Sequence, residues 1–111
     1  MSAPRLNRKL VLEERARVPD SMGGFAESWT SKGAIWANLD GRSAVERRIG
    51  ARTLPVVKYR IITRAAPFGA DSRPRPEQRF RDGSRVFDIL AVGDYDVAGH
   101  YLEIWAEEGR L

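Results

Sequence analysis

The chain has no cysteine and only one histidine in 111 residues. Without cysteine there are no disulfides and no thiolate metal ligands, so the expectation is folding in cytoplasm with no later need for an oxidising compartment. With His100 alone, carboxylates would have to supply nearly every ligand of a zinc site, which suits zinc poorly. Long apolar runs are missing too. Nothing approaches the ~20 residues of a membrane-spanning helix, and Met1 to Lys9 has no apolar signal core. Catalytic sets are equally scarce. Ser21, Ser28, Ser31, Ser43, Ser72 and Ser84 have no elbow motif around them, and any triad would have to enlist His100. Gly23-Gly24 lacks the Lys and Ser/Thr of a phosphate-cradling loop. Asp94-x-Asp96 lacks the downstream Gly and Glu of a calcium loop and reads as a turn. Asp and Glu occur in any β-protein, so no pair singles itself out for glycoside chemistry. These absences point to a non-enzymatic protein that needs no cofactor or metal.

What is present suits one folded domain over residues 1–111. Apolar residues make up 42% of the chain, and ten aromatics are spread from Phe25 to Trp105. A chain of this size buries roughly two-thirds of its unfolded surface, enough for a core without staples. Charge is distributed unevenly. Residues 42–85 hold twelve Arg or Lys against Glu46, Asp71, Glu77 and Asp82, whereas from Val86 onward six acids face Arg110 alone. A basic middle and an acidic tail suit a nucleic-acid surface beside a protein-contact surface, or charges that pair within the fold.

Period-2 alternation predicts strands almost throughout. Residues 8–16 form the first, closed by the turn formers from Val18 to Gly24. Phe25, Glu27 and Trp29 mark a second. Ser31-Lys32-Gly33 predicts another turn, and Ala34 to Asp40 a third strand with Ile35, Ala37 and Leu39 on one face and Trp36 and Asn38 on the other. A strand returns from Pro55, with Val57, Tyr59, Ile61 and Thr63 on one face. Gln78 to Arg81, the Asp82-Gly83 turn and Arg85 to Val92 read as a hairpin, and His100 to Glu107 as the last strand. Six or seven such strands argue a small antiparallel β-barrel, mainly β, with one short helix or extended arm between the third and fourth strands.

Two segments break the rhythm. In the arm, about residues 41–55, Ser43-Ala44-Val45-Glu46 has capping-box spacing, and Val45 and Ile49 follow at helical spacing. One or two helical turns compete with an arm that is extended and ordered only by a neighbouring subunit. On a helix, Arg48 and Arg52 would share one stripe. Arg42, Arg47, Arg48 and Arg52 lie within eleven residues, and guanidinium groups bind phosphate without reading base sequence. The same four also suit a solvated face or salt bridges to the acidic C-terminal strand. The second segment, residues 65–79, is proline-rich and cannot join a central sheet; a loop this long carries function or is mobile.

The order of motifs resembles a known family. Arg5-Leu6-Asn7-Arg8-Lys9-Leu10-Val11-Leu12 is followed by Pro19-Asp20-Ser21-Met22-Gly23-Gly24-Phe25-x-Glu27-x-Trp29 and by Ala34-Ile35-Trp36-Ala37-x-Leu39. Val57-x-Tyr59-x-Ile61, Asp82-Gly83-Ser84-Arg85-Val86-Phe87-Asp88-Ile89 and His100-Tyr101-Leu102-Glu103-Ile104 complete the set. Together they look like the head-tail joining (head-closure, or stopper) family of tailed phages and phage-like gene transfer agents. The resemblance implies a β-barrel made in the bacterial cytoplasm and assembled in the particle neck, as a homo-oligomeric ring of six or twelve copies. Its implied partners are the portal and adaptor above, the tail terminator or tail tube below, and packaged double-stranded DNA held non-specifically; no membrane is implied. The arginine arm would face the DNA channel or a neighbouring subunit. Segment 65–79 is longer than the family's usual turn, which makes Phe68, Arg73 and Arg75 candidates for contact with the adaptor ring, tail terminator or adjacent subunit. Two alternatives stay open: a tail-terminator or minor tail ring, and a single-stranded nucleic-acid-binding barrel with Trp29, Trp36 and Tyr59 as stacking platforms. Against the last, strand aromatics are more commonly buried as core.

Overall fold

The computed structural model describes residues 3–109. Six antiparallel strands run in chain order: β1 (Arg8–Pro19), β2 (Phe25–Ile49), β3 (Arg52–Arg64), β4 (Arg79–Asp82), β5 (Arg85–Asp94) and β6 (Tyr101–Gly109). They pair in the order β1-β2-β3-β6-β5-β4, and β4 returns to β1 through Val11↔Arg81, Leu12↔Phe80 and Glu13↔Arg79. The sheet therefore closes on itself, in the strand order of a closed barrel. No helix occurs among the described residues.

Alternation along each strand decides what fills the interior. Leu10, Leu12, Ala37, Ile61, Phe80, Phe87, Ile89, Ile104 and Ala106 form one buried cluster, with Ile35, Leu39, Tyr59 and Val92 packed against it. The Tyr59 and Phe87 rings meet edge to face, centroids 5.1 Å apart. A six-stranded closed sheet leaves little room inside, and two Phe side chains with small Ala37 and Ala106 fill it.

Three expectations are corrected. First, Ser31-Lys32-Gly33 is not a turn. Leu12 pairs with Gly33 and Glu13 with Ser31, leaving Lys32 as the extra residue of a bulge, so the second and third expected strands are one. Gly33 sits at φ +112° and supplies the backbone freedom that absorbs it. Second, the short helix in the arm does not form. Ser43 pairs with Lys58, Glu46 with Pro55 and Ile49 with Arg52, across a two-residue turn in which Gly50 has φ +61°. Capping-box spacing is a local signal worth about 1 kcal/mol, and a full ladder with β3 outweighs it. The arm is accordingly extended, but it is ordered by its own chain. Third, the tryptophans are not core. Trp36 is 55% exposed, Trp105 is exposed as well, and Trp29 lies half-buried between the guanidinium groups of Arg15 and Arg79.

β2 is much longer than the body it crosses. β1 covers it only as far as Ala37, and β6 covers β3 only from Val56 onward. Two-stranded ribbons thus leave the closed sheet at the two ends of β2, and the molecule measures 54 × 33 × 23 Å.

Candidate functional site: the arginine arm and the proline-rich loop

The arm is the ribbon of residues 42–55. Arg42 is the bulged residue between Gly41↔Tyr59 and Ser43↔Lys58, and its guanidinium lies 3.1 Å from Asp40 Oδ2. From there cross-strand pairs share a face, so Arg47, Leu54 and Arg52 lie on one side and Arg48 with Thr53 on the other. Arg48 and Arg52 therefore occupy opposite faces of a ribbon, not one stripe of a helix. Arg47 turns back toward the body and donates from Nη1 to Glu107 Oε1 at 2.6 Å. The Glu107 carboxylate is nearly buried, and its Oε2 has no hydrogen-bond partner among the described residues. Arg48 and Arg52, near the tip, are exposed and have no ion partner among the described residues. Two of the four predicted arginines are structural, and two are free to meet an anion.

The acidic tail serves the basic middle within one chain. Arg60 Nε donates to Glu103 Oε2 at 2.8 Å. Arg85 holds both oxygens of Glu108, at 2.9 and 3.1 Å, and donates to the Tyr59 hydroxyl at 3.0 Å. Glu108 raises the Arg85 pKa, first through these hydrogen bonds. On the outer surface the buried carboxylate of Glu13 receives Arg79 Nε at 2.7 Å and Arg81 Nε at 2.9 Å.

The proline-rich loop, residues 65–78, is closely tied to the body. Ala65 N–H donates to the His100 carbonyl, and turns close at Ala70→Pro67 and Arg73→Ala70. Pro74 is fully buried. Lys32, pushed out by its bulge, bridges Glu14 and Asp71 at 3.3 Å each. Gln78 accepts from Arg75 N–H at 2.8 Å, and the Arg75 guanidinium pairs with Glu14. The Lys32 hydrogen bond holds the Glu14 carboxyl below its ordinary range, and Glu14, then Asp71, hold the Lys32 ammonium above its own. Of the three predicted contact residues, Arg75 is thus spent on the loop's base, and half-buried Arg73 donates to the Ala66 carbonyl at 2.9 Å. Phe68 is 89% exposed, with the Arg73 guanidinium 3.8 Å from its ring centroid.

One surface was missed from sequence. At the tip of the β1–β2 ribbon Val18, Met22 and Phe25 are exposed, Met22 by 91%, with Arg17 over the Phe25 ring at 4.8 Å. Asp20 Oδ1 organises this tip by accepting from Met22 and Gly24 N–H, each at 2.9 Å. The signal was present as large apolar residues flanking a turn, where core filling is impossible. Among the described residues no group of three or more His, Cys, Asp and Glu could hold a metal ion. Asp96 is used in its turn, accepting from His100 and Tyr101 N–H.

A family model described as phage head completion protein matches residues 1–109. Among solved structures, the chain is similar to one from the virion of a native gene transfer agent particle, with 52% identity, 97% of this chain and 98% of that chain covered, and a TM-score of 0.86. It also shares its fold with the solution structure of protein SF1141 from Shigella flexneri 2a, at 22% identity, 97% and 96% coverage and a TM-score of 0.67. No curated protein sequence matches.

Proposed function

The chain belongs to the phage head completion protein family, and from that membership we propose that it is a non-enzymatic structural component of the neck of a tailed phage or phage-like particle. In this reading it forms the head-closure ring that connects portal and adaptor to the tail and retains the packaged DNA. Its likeness to a chain of a gene transfer agent virion supports a place in the virion.

One observation carries the DNA-facing part of this reading. The arm projects as a self-paired ribbon whose tip bears Arg48 and Arg52 without carboxylate partners among the described residues. Repeated around an axis, such tips place guanidinium groups where phosphates pass, and each phosphate neutralised steepens the salt dependence by about 0.9 in log–log slope. Asp40 and Glu107 hold Arg42 and Arg47, which set the arm's root and angle. Phe68 with Arg73, and the apolar tip at Val18, Met22 and Phe25, are the surfaces offered to the adaptor, the tail or the adjacent subunit. The stacking-platform alternative keeps an exposed Trp36 but loses Tyr59, which packs on Phe87 inside the sheet.

The test is DNA leakage from filled particles carrying Arg48→Ser and Arg52→Ser. Leakage should rise and should depend less steeply on salt than with the unsubstituted chain, with assembly unchanged. Full retention in normally assembled particles would overturn the arm–DNA contact.

A further inference from the structure

Four strands place an outward row of side chains at the end of the closed sheet opposite the arm. Lys9 of β1 stands in register with Trp36 of β2, and Arg64 of β3 with Tyr101 of β6. Trp36 and Arg64 lie next to the Ala37↔Thr63 pair, on the same side of it. Because β1, β2, β3 and β6 are neighbours in that order, the row reads cation, aromatic, cation, aromatic. Leu10, Ala37, Thr63 and Leu102, the next residues along, are buried, so alternation turns the row outward.

The fold leaves this row unused. Lys9 and Arg64 are exposed and have no ion partner among the described residues. Trp29 and Phe68 lie under guanidinium groups, whereas the exposed Trp36 ring carries none among the described residues. The nearest carboxylates along these strands are already held: Glu13 by Arg79 and Arg81, Asp40 by Arg42, and Glu103 by Arg60. Asp96, in the turn before β6, accepts from the His100 and Tyr101 N–H groups. Clefts open beside Trp36 and Arg64. One, of about 360 Å³, is lined by Pro4, Leu6, Trp36, Arg64 and Tyr101; the other, of about 220 Å³, is lined partly by Leu6, Ala34 and Ala66. Asn38 Nδ2 pins the segment that forms their common wall by donating to the Arg5 carbonyl at 3.0 Å.

Two unpaired cations around an open indole, with apolar clefts beside it, call for a ligand that is anionic and apolar together. Lys9 and Arg64 are two strands apart, about 10 Å, and an extended peptide advances about 3.3 Å per residue. We propose that the row is a docking site for an acidic peptide segment of another protein. Two carboxylates about three residues apart pair with Lys9 and Arg64, and an apolar side chain between them packs on Trp36. A single-stranded nucleic acid fits less well, because stacking uses successive open aromatic faces. Tyr101 is half-buried and meets Tyr95 edge to face, centroids 6.1 Å apart, which leaves Trp36 as the open ring of the row. This site goes beyond the neck reading and depends on neither the ring nor the contact of the arm with DNA.

The test titrates the purified full chain into fluorescein-labelled peptides and reads anisotropy. The peptides carry two Asp residues spaced two, three or four apart, with Leu or Phe between them. Spacing of three should bind tightest, and Asn in place of Asp should abolish binding. Trp36→Ala should weaken binding about tenfold, and Lys9→Ser and Arg64→Ser about threefold each, with denaturant midpoints unchanged. Lys58→Ser, which removes one charge elsewhere on β3, should leave binding as it is. No binding by any peptide, or binding that survives Trp36→Ala and Arg64→Ser, would overturn the proposal. An equal loss with Lys58→Ser would also overturn it, as attraction by net charge alone. So would a labelled oligothymidylate that binds more tightly than the peptides and is weakened by the same substitutions, because the row would then be a nucleic-acid site.

Discussion

Trp36 and Ala37 are neighbours in sequence and opposites in environment: the large side chain faces solvent and the small one is fully buried. Alternation assigned their faces correctly from sequence, but the preference of tryptophan for cores suggested the wrong face as the buried one. A narrow closed sheet inverts that preference, because Phe80 and Phe87 already occupy its volume. Two substitutions separate the environments. Phe87→Ala should cost about 4 kcal/mol of unfolding free energy in denaturant titration, whereas Trp36→Ala should stay within about 0.5 kcal/mol. Glu13 makes a similar point for charge. It was read only as part of an alternating strand, yet it is buried and neutralises Arg79 and Arg81. Because both guanidinium groups keep access to water, Glu13→Ala should cost about 2 kcal/mol rather than the more severe loss expected of a fully buried pair.

At the scale of elements, β2 decides the architecture, and it is where sequence reading was least complete. Ser31-Lys32-Gly33 carries ordinary turn chemistry, and only its pairing with Leu12 and Glu13 reveals a bulge. Those partners lie far away in sequence, so no local window contains the information. The same holds for residues 43–49, where the competing signal was local and the winning one was the ladder with residues 52–58. By contrast, the Asp82-Gly83 turn and the alternation of Leu102, Ile104 and Ala106 were legible because the period is local and one face is buried. Arg47 ties the arm to β6, and Arg47→Ser should speed amide exchange over residues 43–49 about fivefold, the equivalent of about 1 kcal/mol. The loop has its own signature in pH. Glu14, held below its ordinary value of 4.5, contributes above that value and is lost as pH falls through its lowered one. Lys32, held above 10.5, contributes fully below that value and is lost as pH rises through its raised one. Exchange protection of loop amides should therefore stay level from about pH 5 to about pH 10 and fall on both sides. Lys32→Met should weaken it throughout.

For the whole molecule, the single strand β2 links a ribbon tip that is apolar to one that is basic, with the closed sheet between them. That polarity could not be read from composition, because seven of the twelve cations of residues 42–85 find acids among the described residues and, of those that do not, Arg48 and Arg52 stand near the arm tip. Family membership was legible in the ordered motifs; the division of the four arm arginines into two structural and two free ones needed coordinates. A ring of these subunits in the particle neck, with arms directed at the DNA, is what an image of the neck at a resolution that traces the chain would test. Repeated copies are expected between portal and tail, with Arg48 and Arg52 nearest the channel axis. Copies absent from the neck, or arms turned away from the channel, would contradict it.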